Sequence, residues 1–394
     1  MGLGAKMAMV GGESESLGEF YATTGTISVS TSEAHGESQA SYRSNPTAGN
    51  TGYGEVRGRD EPSMLGIQSV PWLRLELEDC HIGFWFKVKT LPASARLGMV
   101  LYFADHGGSQ AGSIVMSYTG GIVLRNYADN TVASFEVLST DTWYWIGVRA
   151  KTDSDEYEVY VNGTKYSGTC DWGGSAIRDI YVGHSFGSSL YNTAVDFYYD
   201  SIVVDSSWHL QADVVRLLPN ADGTYDTWTA EVGTDTHEDV DEAPHDTDTT
   251  RAKNPGGGLA PWTVNLEPAS TRNVSDDIFM VMPFVEARKL SLPESIQVRL
   301  RSNGSDYDAA TFSLTTSYAN YAKIYKVDPD DDGAWTTSKI DALEIGVDWV
   351  AGIQAANLLF VTQCLLMVAF IPSPPEHGTV HVKGGKILGG KLAA

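Results

Sequence analysis

Short apolar runs that alternate with polar residues recur from about Phe20 to Val204, each bounded by Gly, Asn, Asp or Ser. In Phe84-Trp-Phe-Lys-Val-Lys89, Phe84, Phe86 and Val88 fall on one side of an extended chain and Trp85, Lys87 and Lys89 on the other, because strand side chains alternate. The same pattern predicts strands over 81–88, 98–104, 113–118, 122–127, 143–150, 157–162, 177–184 and 195–204. Tyr118-Thr-Gly-Gly121 and Val161-Asn-Gly163 are turn signals, since Gly and Asn tolerate positive φ. Short strands at regular spacing predict an antiparallel sandwich or barrel.

A second β region follows. Ile296, Val298 and Leu300 alternate with Gln297, Arg299 and Arg301, as in a half-buried antiparallel strand. Trp335 to Asp341 starts a short helix that Thr337 or Ser338 can cap. The apolar run from Leu358 to Ile371 is interrupted by Thr362 and Gln363 and is shorter than the roughly 20 residues of a membrane helix, so it predicts one or two buried strands. Pro372-Ser-Pro-Pro375 ends regular structure. Beyond it, His377 to Ala394 carries Lys383, Lys386 and Lys391 with no acid and two Gly-Gly pairs, which reads as an extended basic arm and a candidate assembly contact.

Charge narrows the function. The chain has 50 Asp+Glu against 27 Lys+Arg, a net charge of −23, and no concentrated basic face, which opposes nucleic-acid binding. Between Asp222 and Asp248 there are ten carboxylates and no Lys or Arg. Cys80, Cys170 and Cys364 form no Cys-x-x-Cys pair, so neither a zinc framework nor a disulfide scaffold is indicated. The N-terminus lacks a secretory pattern, and folding in a reducing cytoplasm, away from membranes, is expected.

Two resemblances follow from ordered motifs. Phe84-Trp-Phe-Lys-Val-Lys-Thr-Leu-Pro92, Ser113-Ile-Val-Met, Gly121-Ile-Val-Leu, Thr142-Trp-Tyr-Trp-Ile-Gly-Val148, Tyr157-Glu-Val-Tyr-Val-Asn-Gly163, Ile180-Tyr-Val-Gly183 and Val195-Asp-Phe-Tyr-Tyr-Asp-Ser-Ile-Val-Val204 together resemble the concanavalin A-like or laminin-G-like jelly roll over most of 18–208. That family implies two curved sheets, with glycan or protein binding on the concave face or at a rim in many relatives. Val214-Val-Arg-Leu-Leu-Pro-Asn-Ala-Asp-Gly223, Trp228, His237 to Pro244, Asp246 to Thr249, Ile278 to Met282, Ile296 to Arg301, Thr315 to Tyr321, Asp328 to Trp335 and Ile340 to Gly346 resemble a module of tailed-bacteriophage structural proteins over about 211–372.

The expected fold is all-β: two β-sandwich, jelly-roll-like domains in tandem with an extended basic C-terminal arm. The expected bounds are 1–17 for an N-terminal extension, 18–210 for the jelly roll, 211–376 for the phage-type sandwich and 377–394 for the arm. The resemblances imply a virion component, made in the host bacterial cytoplasm, that acts in assembly and surface contact as a capsid decoration, head fibre or tail appendage. Expected partners are other virion proteins, further copies of the chain, with a homotrimer as the first expectation, and a host surface glycan as a candidate. The alternative is a bacterial polysaccharide-binding or -degrading protein.

Asp328-x-Asp330-x-Asp332-Gly333 has the alternate carboxylates of a calcium loop, but its twelfth position is Lys339 where an EF-hand needs Glu, so a plain acidic turn is favoured and no cofactor is expected. His237 and His245 lie in the acidic run without ligand spacing, which reads as a solvated loop. Jelly-roll glucanases use Glu-x-Asp-x-x-Glu; Glu76-Leu-Glu78-Asp79 and Glu156-Tyr-Glu158 lack the third member, and no nucleophile elbow or P-loop is present, so no catalysis is expected. His81, His106, His184 and His209 lack partner spacing and read as structural. Trp85, Trp145, Arg149 and Tyr160 share one strand face by alternation and form the candidate glycan- or protein-binding surface. Packing against a neighbouring domain or subunit is the favoured alternative for these aromatics.

Overall fold

The computed structural model describes residues 8–10, 22–35, 40–48, 50–56, 77–105, 109–174, 176–184, 191, 193–205, 211–241, 249–255, 260–290, 294–309, 311–351 and 358–372. In chain order the first part forms β1 (Ala8–Val10), β2 (Ala22–Gly25), β3 (Ile27–Ser30), β4 (Ser41–Ser44), β5 (Gly52–Val56), β6 (Asp79–Thr90), β7 (Leu97–Asp105), β8 (Gln110–Ser117), β9 (Gly121–Asn126), β10 (Thr131–Val137), β11 (Trp143–Lys151), β12 (Glu156–Val161), β13 (Thr164–Thr169), β14 (Ile177–His184) and β15 (Asp196–Asp205). One sheet has the order β13-β12-β11-β6-β15-β4-β3, with β1 also on β15; the other runs β10-β9-β8-β7-β14-β5-β2. The predicted alternation decides which side chains meet between them. Phe84, Phe86 and Val88 face inward with Ile146, Val148, Val159 and Tyr199, against Phe103, Ile114, Leu124 and Ile180 from the opposite sheet and Trp172 from the connection after β13. Asn162 (φ 46) and Gly163 (φ 85) both adopt the left-handed conformation that a two-residue hairpin turn between β12 and β13 needs.

The second part forms β16 (Asp213–Leu217), β17 (Pro219–Asp222), β18 (Thr229–Ala230), β19 (Ala252–Lys253), β20 (Pro261–Leu266), β21 (Ile278–Lys289), β22 (Ser295–Ser302), β23 (Ser305–Asp308), β24 (Phe312–Ser313), β25 (Ala319–Ala322), the helix α1 (Thr337–Ile340), β26 (Glu344–Ala351) and β27 (Leu359–Phe370). Its sheets run β18-β19-β27-β21-β25, with β16 on β27, and β17-β20-β26-β22-β23, with β24 on β22. All four sheets among the described residues are antiparallel, so the fold is all-β with sheets packed face to face. No described helix is long and apolar enough to cross a membrane.

The apolar run near the C-terminal end is a single strand, β27, buried along its whole length. Its polar interruption is a bulge. Glu286 of β21 stands opposite Gln363 but Ala287 stands opposite Val361, so Thr362 is an extra residue. The bulge keeps Val361, Cys364, Leu366 and Val368 all in the core of the second sandwich, while Leu365, Met367 and Ala369 point to its outer side. The helix cap is one residue earlier than predicted. Thr336, in extended conformation, accepts from the Lys339 N–H at 3.3 Å, whereas the Thr337 N–H and hydroxyl both donate to Asp276 at 2.8 and 2.7 Å.

A third apolar cluster joins the two parts. Val203 of β15 packs with Ala212, Val214, Met280, Met282, Phe284, Leu365 and Met367. Lys326 pairs with the buried Asp205, and the Val214 N–H donates to Ser201 Oγ at 2.9 Å.

Candidate functional site

Strand register places Trp145 opposite Trp85, Gly147 opposite both Gly83 and Tyr160, and Arg149 opposite both His81 and Glu158. The four candidate residues Trp85, Trp145, Arg149 and Tyr160 therefore share the face of the first sheet that points away from the core. That face is not an open aromatic platform, which corrects the expectation for the two tryptophans. Trp145 is fully buried, and its indole lies over Gly83, where an added Cβ would come within 2.8 Å of Cζ2. Trp85 is covered by the His35 ring, stacked at 3.5 Å between centroids and 17° between planes, and its Nε1–H donates to the Ala212 carbonyl at 3.1 Å. The His35 N–H donates to Asp200 at 2.8 Å and its Nδ1 lies 3.2 Å from Asp213 Oδ1. Alternation fixes the side of a sheet on which a residue points; it says nothing of the segments that come to lie on that side.

The rest of the face is occupied by ion pairs. Arg149 holds Asp79 with two bonds of 2.7 and 2.6 Å and lies 3.6 Å from Glu158, while Lys165 (2.6 Å) and the Tyr160 hydroxyl (3.3 Å) donate to Glu158. The Arg149 guanidinium keeps the Asp79 carboxyl below its ordinary value, and burial keeps His81 below the usual histidine range. At the other end, Arg43, Lys87 and Lys89 lie 5.6, 5.3 and 5.8 Å from the Tyr198 ring centroid, balanced by Glu33 and Asp196. Arg149 and Tyr160 are half-buried and already engaged by the protein's own acids.

The opposite sheet carries a row that the strand pattern alone did not single out. On its outer face Arg125 of β9 stands opposite Ser113 of β8, Ser113 opposite Tyr102 of β7, and Tyr102 opposite Tyr181 of β14. The Tyr102 and Tyr181 rings are 5.7 Å apart and half-buried. Tyr191 closes one end over Met99 and Val115, and its hydroxyl donates to Asp129 Oδ1 at 2.6 Å. Burial and that carboxylate push the Tyr191 phenol upward. Arg125 Nε donates to the same Asp129 oxygen at 2.6 Å, and a second guanidinium N–H donates to the Asp129 carbonyl. Ser113 is fully buried and Arg125 mostly covered, so what the row offers is the tyrosine pair, whose rings can meet the apolar C–H face of a pyranose. The signal in the sequence was Tyr102 sitting between the inward Leu101 and Phe103 and Tyr181 between Ile180 and Val182; their adjacency depends on the β7–β14 pairing.

The acidic turn is held by its own lysine. Asp328 is buried and accepts from Ser302 Oγ at 2.8 Å and the Asp330 N–H at 3.1 Å. Lys339 Nζ lies 3.1 Å from Asp328 and 2.7 Å from Asp331. Asp330 turns away to Asn303 and Tyr307, both at 2.9 Å, and Asp332 carries the left-handed φ of 55° that closes the turn. Asp328, Asp330 and Asp332 thus do not converge, and no group of three His, Cys, Asp or Glu among the described residues could hold a metal ion. Millimolar calcium and EGTA are expected to give the same melting temperature, because an ammonium stands where the ion would; a calcium-dependent rise would reverse this assignment.

In the acidic run, Asp222 accepts from Thr236 Oγ1 (2.8 Å) and the His237 N–H (2.9 Å), and the buried Asp239 accepts from the Val232 N–H (3.0 Å). These carboxylates fold a turn and are not simply solvated, which corrects part of that expectation. The three cysteines are free and buried, and burial pushes the Cys170 thiol up to about 12. Glu76, His106, His209, His245, Lys383, Lys386 and Lys391 lie outside the described residues.

No family model matches the chain, and no curated protein matches it. Among solved structures it is similar to cellulose induced protein, Cip1, at 14% identity and TM-score 0.35, over 51% of this chain and 92% of that one. It is similar to a carbohydrate esterase of the Shiga toxin-encoding bacteriophage phi24B at 15% identity and TM-score 0.31, over 51% and 89%. A sialidase of Trypanosoma rangeli is similar at 12% identity and TM-score 0.31, over 47% of this chain and 28% of that one. Each likeness is partial, with a TM-score below 0.5, and the chain spans little more than a quarter of that sialidase. One expectation is corrected: the structures this chain is similar to include chains named as sialidases and an esterase, so the absence of catalysis expected from the missing motifs is withdrawn.

Proposed function

We propose that the protein is a structural component of a tailed-phage virion whose first sandwich contacts a glycan of the host surface. The observation that carries the glycan contact is the half-buried Tyr102–Tyr181 pair, two rings 5.7 Å apart on the outer face of the sheet, with Ser113 buried and Arg125 mostly covered beside them. The ordered motifs from Val214 to Gly346 support the phage setting, and the apolar junction around Val203 and Met282 supports a one-piece mount that carries the row at a fixed angle.

Mass spectrometry and immunogold labelling of purified particles test the location; absence of the protein from particles overturns it. Tyr181→Ala is expected to weaken binding of the full chain to host cells about tenfold with the circular dichroism spectrum kept. Unchanged binding removes the row from the contact, and release of reducing sugar from host polysaccharide would favour the polysaccharide-degrading alternative.

A further inference from the structure

The chemistry around the row also bears on which glycans it accepts. Arg125 is the cation of the row, and carboxylate or sulfate groups on a sugar are ordinarily recognised by just such a guanidinium. Here its hydrogen-bonding edge is already used. Nε donates to Asp129 Oδ1 at 2.6 Å, one terminal nitrogen donates to the Asp129 carbonyl, and the other lies 3.4 Å from Thr131 Oγ1. The guanidinium is mostly covered, with 13% of its side chain exposed. Asp129 is fixed in turn by the Tyr191 hydroxyl at 2.6 Å, and it sits at a left-handed φ of 59° in the β9–β10 turn, so its carboxylate is placed by backbone and phenol together.

Resting on the glycan reading above, we infer that Asp129 is a selectivity residue: by neutralising Arg125 it makes the row a site for neutral, hydroxyl-rich glycans and sets it against uronic, sialic or sulfated ones. The chain's net charge of −23 acts in the same direction, since an anionic polymer approaching it meets a repulsive field before any contact forms. The half-buried Tyr102 and Tyr181 likewise add no charge to the row, only a pair of rings.

The test is a printed array of neutral hexose oligosaccharides with matched oligouronides and sialosides, probed with the full chain, followed by titration of the strongest neutral and acidic probes. Wild type is expected to bind neutral members, with an affinity that does not change between low and high salt. Asp129→Asn keeps the shape and the two acceptor bonds but removes the charge, and is expected to gain about tenfold for oligouronides as Arg125 loses its counter-charge. Acidic probes bound by wild type as tightly as neutral ones, or a neutral-probe affinity that falls with salt, overturns the selectivity inference and leaves the glycan reading standing. A folded Asp129→Asn protein with unchanged preference overturns the role of Asp129. Binding to neither class overturns the glycan reading and this inference with it; the salt series on wild type keeps the test decisive if the variant does not fold.

Discussion

Trp145→Ala is expected to lower the unfolding free energy by about 3–5 kcal/mol, because a fully buried indole leaves a cavity that a sheet cannot collapse to fill. For a unit of about 200 residues that corresponds to a fall in melting temperature of roughly 6–20 °C. The effect belongs to packing and not to ligand contact. The indole spreads over Gly83 on the neighbouring strand, and the Trp145 N–H is tied to Asn162 Oδ1 at 2.8 Å. Gly83→Ala should destabilise by about 1–3 kcal/mol through overpacking, since its Cβ would stand 2.8 Å from Trp145 Cζ2. In the double variant the two costs should not add, because removing the indole makes room for the methyl group. Calorimetry of the two single variants and the double checks all three values. A Trp145→Ala protein that melts with wild type and binds its target less well would return Trp145 to the surface.

The second large effect is pH-dependent and sits at the bulge of β27. Glu286 is 7% exposed, stands opposite Gln363 and Asn320 on the flanking strands, and burial pushes its carboxyl up to about 7 from an ordinary 4.5. Between those two values the folded protein keeps a proton that the unfolded chain has released. Stability therefore falls as pH rises from about 4.5 to about 7, and this group contributes no further change on either side of that window. The gap corresponds to about 3 kcal/mol. Glu286→Gln keeps the size and stays neutral, so it should match wild type near pH 4 and exceed it by up to about 3 kcal/mol near pH 8. Urea unfolding followed by tryptophan fluorescence at the two pH values measures the difference. A variant whose advantage is the same at both would show that folding does not raise the carboxyl's pKa.

The strand pattern was readable because it is a local property. Period-two alternation in Phe84 to Val88 and in Tyr144 to Val148 already separates the inward from the outward set, and β6 and β11 present those sets to the core as expected. The acidic turn was readable too, since the lysine at the twelfth position of the 328–339 string is the residue that binds Asp328 and Asp331. Thr362 and Gln363 were visible as an interruption, but only the register against β21 shows them to be a bulge within one strand.

What the outer faces of the sheets do was not readable. His35 reaches Asp200 and Asp213 across 165 and 178 residues of sequence, and that reach seals Trp85. The two tyrosines meet because β7, on the edge away from β8, pairs with the distant β14. By itself the sequence determined the all-β class, the strands and the side on which each residue points, since steric alternation acts within a few residues. Tertiary structure alone decided which outward aromatics are buried and which stand in a row, because that depends on long-range pairing and on segments laid over a sheet, neither of which leaves a local pattern.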